Sequence, residues 1–257
     1  MSAAPQSLAA WMNAHPDDVG SFELADMERE AAEAIAAAPV VADPWLERRG
    51  LGFGASEVAT LLIALGRRSD VGAPKYVVEN ARKLLAVKAG LRRPSKVGRA
   101  AREGNRSERA LIAAWTADAA CMVRDQLVSV THADAAPRSF WPLVDRHCPR
   151  LTCTPDGWAR DRFGSDVIVE AKCTTAPIAA PHWYWMTQVQ AQLAVSACEW
   201  GVLVIGDTWA AEWKEPGPVH AHVVERDEVA IAEIRSAVVD GWRRVEALSA
   251  VKAAGGR

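Results

Sequence analysis

Thr154-Pro155-Asp156-Gly157, followed by Asp166-Val167-Ile168-Val169-Glu170-Ala171-Lys172, is the pair of segments on which the reading of this chain turns. Thirteen residues separate Asp156 from Glu170. The second segment alternates as a strand does, with Val167, Val169 and Ala171 on one face and Glu170 and Lys172 on the other. Pro155-Asp156-Gly157 has the turn chemistry of a strand end, and Gly164-Ser165 marks a turn ahead of the second strand. Two adjacent strands can therefore bring Asp156 and Glu170 to one hard cation, with Lys172 beside it. Carboxylates with few soft ligands suit magnesium, which keeps waters and needs only one or two acids plus substrate phosphate; manganese is the substitute. Taken alone, a strand face carrying an acid and a lysine is also what an ordinary solvated surface looks like.

Further blocks flank this pair in a set order. Upstream, Arg48-Arg49-Gly50-Leu51-Gly52-Phe53-Gly54-Ala55-Ser56-Glu57 opens a helical run at Val58. Gly104-Asn105-Arg106-Ser107-Glu108 follows as a glycine-led helix start with an acid one turn in, a place the helix dipole alone favours. Downstream, Trp185-Met186-Thr187-Gln188-Val189-Gln190-Ala191-Gln192 is a helix carrying glutamines, of which Gln188 and Gln192 share a face. Residues 219–228 read as a last strand leading into a helix. This order resembles the phage lambda-type exonucleases and the YqaJ-like viral recombinase nucleases, within the Pro-Asp…(Asp/Glu)-x-Lys nuclease superfamily. The likeness spans roughly residues 45–245 in five ordered blocks.

The resemblance implies a restriction-endonuclease-like α/β core, a mixed central sheet flanked by helices. It implies that Asp156 and Glu170 are metal ligands, that Glu108 is a further acid of the metal site, and that Gln188 reaches the active site. Lys172 would orient and help deprotonate the attacking water, or stabilise negative charge on phosphorus. Arg49 and Ser56 match positions that contact a 5′-phosphate in lambda-type enzymes, and Thr154 matches a position where the family offers a hydroxyl. Two departures stand out. Trp185 occupies the place of a family tyrosine, with Tyr184 one step round the helix. Thr174-Thr175-Ala176-Pro177 follows Lys172 where lambda-type enzymes carry an arginine.

Composition sets the frame. The chain has 257 residues, half of them hydrophobic, enough for one large α/β domain with an extension. No apolar run approaches a membrane span and no leader-like segment opens the chain, so a cytoplasmic protein without membrane contact is expected. Five scattered cysteines (121, 148, 153, 173 and 198) lack metal or disulfide spacing and read as buried thiols. Eleven tryptophans read mainly as packing residues, with Trp183 and Trp185 as candidates for stacking on unpaired bases. His182, His220 and His222 read as structural.

The net charge of −2 conceals an asymmetry. Residues 1–47 carry nine acids and one base, whereas residues 48–109 carry fifteen bases and five acids. The density peaks around Arg92, Arg93 and Lys96, which suits a DNA-facing stretch better than an ordinary solvated face because it adjoins the proposed phosphodiester site. The expected organisation is an acidic, alanine-rich extension over 1–45, a nuclease domain over 46–250 and a tail over 251–257. Expected elements include helices at 55–65, 76–90, 104–117, 181–197 and 227–249. Strands are expected at 120–131, 139–144, 150–154, 166–173, 199–206, 208–213 and 219–225.

The function expected is a magnesium-dependent exonuclease that degrades linear duplex DNA ends, 5′ to 3′, and leaves single-stranded tails. By resemblance it belongs to phage-type recombination in a bacterial host, encoded by a phage or prophage. The same resemblance implies a homo-oligomer, a trimeric ring, and a single-strand annealing protein as partner. The alternatives are a restriction-like endonuclease and a non-catalytic DNA-binding module on the same fold. The basic stretch makes a direct prediction. Replacing Arg92, Arg93 and Lys96 together by glutamine should weaken binding to all duplex sequences alike. It should also flatten the log–log salt dependence by about 0.9 unit per lost phosphate contact, measured by salt titration of duplex binding. An unchanged slope would return these residues to solvated surface.

Overall fold

The computed structural model describes residues 50–92, 99–117, 127–132, 143–174, 180–207 and 219–255. In chain order the elements are β1 (Phe53–Gly54), a one-turn 3-10 helix (Ala55–Glu57), α1 (Val58–Ala64), α2 (Lys75–Ala81), α3 (Leu84–Lys88) and α4 (Arg99–Ala117). There follow β2 (Leu127–His132), β3 (Leu143–Val144), β4 (Leu151–Cys153), β5 (Gly157–Asp161), β6 (Asp166–Thr174) and α5 (Trp183–Ser196). β7 (Trp200–Asp207), β8 (Val219–Glu225) and α6 (Glu228–Gly255) complete the chain. The class is the one expected, mixed α/β with helices flanking a central sheet. The described residues form two compact units, one of 50–92 with 233–255 and one of 99–232. Among the described residues no helix is long and apolar enough to cross a membrane.

In the first unit the three short helices pack on one another, and β1 and α1 meet the part of α6 that follows Glu233. Leu61 and Phe53 are fully buried, and the Phe53 ring meets Trp242 edge-on at 6.2 Å between centroids. Gly241 admits them: a Cβ there would stand 2.7 Å from Leu61 Cδ1. At the rim, Arg67 pairs with Asp240 and also donates to Ser236 Oγ, while Arg68 pairs with Glu233 at 3.1 Å. The helix expected across 76–90 is two helices, broken at Arg82-Lys83. On one straight helix Ala86 would lie opposite Val77, Ala81 and Leu84, yet all four are buried, and the break lets both sets turn inward.

The second unit is built on a five-stranded sheet in the order β2-β5-β6-β7-β8. Every neighbouring pair is antiparallel except β6 and β7, which run parallel from Ile168 opposite Gly201 to Thr174 opposite Asp207. A parallel pair needs a crossover, and α5 supplies it. The sheet is therefore covered on both faces at β6, where Val167 through Ala171 are all buried. On one face Val167, Val169 and Ala171 join Val202, Val204 and the α4 residues Leu111, Ile112 and Trp115 in a single core. On the other face, that of Ile168 and Glu170, lies α5. The alternation seen in the sequence is real, but its polar side is not a solvated surface.

Turn chemistry sets the β5–β6 register. Asp161 Oδ1 accepts from the backbone N–H of Phe163 at 2.9 Å and of Ser165 at 2.8 Å. Gly164 takes a left-handed φ of 85°, as glycine does without penalty. The hairpin then pairs Arg160 with Asp166 and Gly157 with Val169, so Asp156 arrives one step beyond, beside Glu170. Sequence reading placed a turn at Gly157 and omitted β5, whose five residues are short and interrupted by Arg160. Strands expected at 120–131 and 139–144 are described only as Leu127–His132 and Leu143–Val144, and the strand at 208–213 lies outside the described residues. The last helix runs to Gly255, past the expected end at 249.

One close contact links the core to the site. A Cβ on Gly206 of β7 would stand 2.1 Å from Leu111 Cδ2, so α4 lies on the sheet at a distance only glycine permits. Leu111 is one helical turn from Glu108. Gly206→Ala should destabilise the protein by about 1–3 kcal/mol through overpacking, read from denaturant unfolding. Leu111→Ala in the same background should recover part of that loss.

Candidate active site

The site is assembled where the β5–β6 hairpin meets α5. Asp156 is half-buried at the mouth of β5, and its Oδ2 accepts the Ala171 backbone N–H at 2.8 Å, which ties it to β6. The close approach at that point depends on Gly157, where a Cβ would stand 3.0 Å from the Thr131 carbonyl oxygen and 3.4 Å from Val169 Cβ. Thr154 is exposed and Pro155 buried just ahead of it.

Glu170 is the buried centre, 1 % exposed. Its Oε1 accepts from Lys172 Nζ and from Gln188 Nε2, and its Oε2 accepts from Gln192 Nε2 at 2.6 Å. Residues i and i+2 of β6 and residues i and i+4 of α5 thus converge on a single carboxylate, as the two periodicities require. The middle glutamine faces elsewhere. Gln190 donates to the Glu225 carbonyl at 2.7 Å and accepts from the Asp227 N–H at 3.0 Å, fastening α5 to the end of β8. Arg226 caps the far end of α5 by donating to the Leu193 carbonyl at 2.6 Å.

The electrostatics are those of too many acids in one place. Burial, then the charge of Glu170, pushes the Asp156 carboxyl well above the usual carboxylate range; Glu108 adds to the rise, and Lys172 and the Ala171 N–H only partly oppose it. Burial acts to lower the Lys172 ammonium, but Glu170 and Asp156 outweigh it, and its pKa lies above the usual lysine value. Cys153 stays a neutral thiol, pushed up by burial and then by Glu170. Hard oxygen donors with an excess of negative charge are the chemistry a divalent cation satisfies. Among the described residues no group of three or more His, Cys, Asp or Glu side chains is gathered closely enough to form a closed metal cage.

The remaining expected residues are placed as follows. Glu108 exerts its field on both Asp156 and Lys172, but it is not in a first turn. α4 begins at Arg99, so Glu108 stands mid-helix and the helix dipole no longer accounts for it. Gly104, read as a helix start, lies inside the helix. Ser56 is exposed in the 3-10 turn of the first unit. Its neighbour Glu57 accepts from the Gly54 N–H at 2.8 Å and pairs with Lys88 at 2.8 Å, which fixes the turn. Arg92 is half-buried at the end of the described stretch that precedes residue 99; Arg49, Arg93 and Lys96 lie outside the described residues. So does the acidic extension of residues 1–45.

Trp185 is buried at 7 % exposure, which removes it as a stacking surface. It lies instead in an aromatic cluster in which the His182 ring stacks on Tyr184 at 5.1 Å and meets Trp185 at 4.6 Å. Gln192 is the residue that sequence reasoning placed on the face of Gln188 but gave no role in the site. Its one signal was its position four residues after Gln188, on the same helix face.

Set beside known proteins, the YqaJ-like viral recombinase domain pattern matches residues 44–199. The chain belongs to the YqaJ-like viral recombinase family. Among solved structures, the fold is similar to that of an alkaline exonuclease, LHK-Exo, from Laribacter hongkongensis. The match has a TM-score of 0.57 at 18 % identity and covers 82 % of this chain and 96 % of that one; a second structure of that enzyme, in complex with dAMP, matches equally. A phage-related exonuclease from Haemophilus somnus 129PT is similar with a TM-score of 0.50 at 10 % identity, over 77 % of this chain and 95 % of that one. No curated protein sequence matches this chain.

The buried charge pair is open to a direct test. Lys172→Met leaves a carboxylate that is 1 % exposed without its cation, and removing one partner of a buried pair costs about 3–5 kcal/mol. Lys172→Met should therefore sharply lower stability in denaturant unfolding at neutral pH without added metal. The double variant Lys172→Met/Glu170→Gln should regain most of the loss, since it removes both charges. Equal stability of single and double variants would show that the two charges are not coupled.

Proposed function

We propose that this protein is a divalent-metal-dependent exonuclease that acts on the ends of linear duplex DNA and leaves single-stranded tails for phage-type recombination. Family membership and fold support a nuclease of that kind. The observation that carries the reading is the convergence of Lys172, Gln188 and Gln192 on buried Glu170, with Asp156 tied to the same strand. A surface acid–lysine pair needs no such arrangement; a carboxylate held in place for a cation does.

In this reading Asp156 and Glu170 would hold magnesium, or manganese in its place, with Glu108 as a further acid of the site. When bound, the ion lowers the pKa of its water and polarises the phosphodiester. Lys172, as an ammonium two residues from Glu170, holds the attacking water in line and offsets charge that develops on phosphorus. Gln188 orients Glu170 and shares its rim. Thr154, exposed beside Asp156, offers its hydroxyl to the DNA backbone. Arg49 and Ser56 grip the 5′-phosphate, since a guanidinium and a hydroxyl suit a phosphate dianion, and the basic stretch at Arg92, Arg93 and Lys96 carries the flanking duplex. The 5′-to-3′ direction, a homo-oligomeric ring and an annealing-protein partner belong to the same proposal.

Digestion of linear duplexes that differ only in 5′-phosphorylation, alongside closed circular duplex, tests it. Cleavage should require magnesium or manganese and spare the closed circle. It should favour the 5′-phosphorylated end by on the order of ten- to a hundredfold, as one charge-assisted contact worth about 1.5–3 kcal/mol would give. Asp156→Ala and Glu170→Ala should abolish hydrolysis while leaving DNA affinity largely unchanged, and Arg49→Ala should erase the end preference alone. Cutting of the closed circle would favour a restriction-like endonuclease. Loss of the 3′-terminal label first would reverse the direction.

A further inference from the structure

The two oxygens of Glu170 are not equivalent. Oε1 is met by Lys172 and Gln188, both half-buried, whereas Oε2 is met by Gln192, which is fully buried at 0 % exposure. Gln192 obtains little else from its position. Its own Oε1 has no hydrogen-bond partner among the described residues. An unmet buried acceptor costs about 1–3 kcal/mol, and an apolar residue would avoid that cost on a helix whose neighbours Val189, Ala191 and Leu193 are all buried. What an apolar residue could not supply is the one bond the amide makes, to Glu170 Oε2.

We infer that Gln192 is a positioning residue of the metal site. It pins Oε2 from the protein interior and leaves Oε1 as the oxygen through which Glu170 binds the ion, at the rim where Lys172 and Gln188 lie. The inference rests on the nuclease reading and adds to it a division of labour among the glutamines. Gln192 fixes the carboxylate, and Gln188 attends the oxygen that works. Without Gln192 the carboxylate can rotate about its last bond, and the ion loses a preorganised ligand. Partners of this kind typically account for 10–100-fold in metal affinity.

The test is calorimetric titration of the full chain with manganese, without DNA, alongside cleavage as a function of metal concentration. Gln192→Met nearly conserves volume and keeps an apolar filling. It should weaken manganese binding at least tenfold and raise the metal concentration for half-maximal cleavage by the same factor, with melting and near-ultraviolet dichroism little changed. Unaltered affinity in Gln192→Met would overturn the inference while leaving the nuclease reading standing. No manganese binding and no cleavage by the unmodified protein would overturn both. Should Gln192→Met fail to fold, a structure of the unmodified protein with manganese decides. Ligation through Oε1 with Oε2 still on Gln192 supports the inference, and ligation through Oε2 or both oxygens overturns it.

Discussion

A carboxylate withdrawn from water must be met by donors on every side, and in this protein that requirement falls on Glu170. Its place in the middle of β6, under α5, obliges the helix to present amides where a crossover helix would ordinarily present leucine or valine. Gln188 and Gln192 meet that demand across the helix–sheet interface, and Lys172 meets it from within the strand. The polar cluster is therefore part of how the βαβ unit packs. Loosening it disturbs the packing as well as the chemistry.

The rest of the second unit brings acids to that point. The Asp161 turn sets the hairpin register, and the register carries Asp156 to the Ala171 N–H. On the opposite face α4 lies close to the sheet because Gly206 admits Leu111, and Glu108 rides on the same helix. Burial first, and then the charges of Glu170 and Glu108 from two other elements, raise Asp156 despite Lys172. Repulsion of this kind is a cost to folding that Lys172 offsets in part, and sites that trade stability for function commonly show it.

The three glutamines of α5 show how one helix serves fold and site together. Gln190 and Arg226 hold its flank and its end to the β8–α6 junction, so Gln188 and Gln192 point at Glu170 from a fixed base. In the first unit the Gly54–Glu57 turn is fixed by side chains in a similar way. Glu57 is engaged by the backbone and by Lys88, and Ser56 between them is left at the surface.

Much of this was legible in the sequence because it depends on local spacing. The two-residue period of β6, the turn residues at Gly164 and the four-residue step from Gln188 to Gln192 are written in the order of residues, and together with the family resemblance they pointed to the class of fold and to Asp156, Glu170 and Lys172 as neighbours. Elements without a strong period were not legible: β5 is too short, and the start of α4 was taken at Gly104 because glycine suggests a boundary that tertiary packing overrode. Burial was beyond the sequence as well. Trp185 looks the same in a chain whether it stacks on a base or closes a core, and Glu170 looks the same on a wet face or under a helix. Which of these holds depends on contacts between residues far apart in the chain, above all the 2.6 Å bond from Gln192 to Glu170. Such a contact exists only once the hairpin, the parallel pair and the crossover helix have closed on one another.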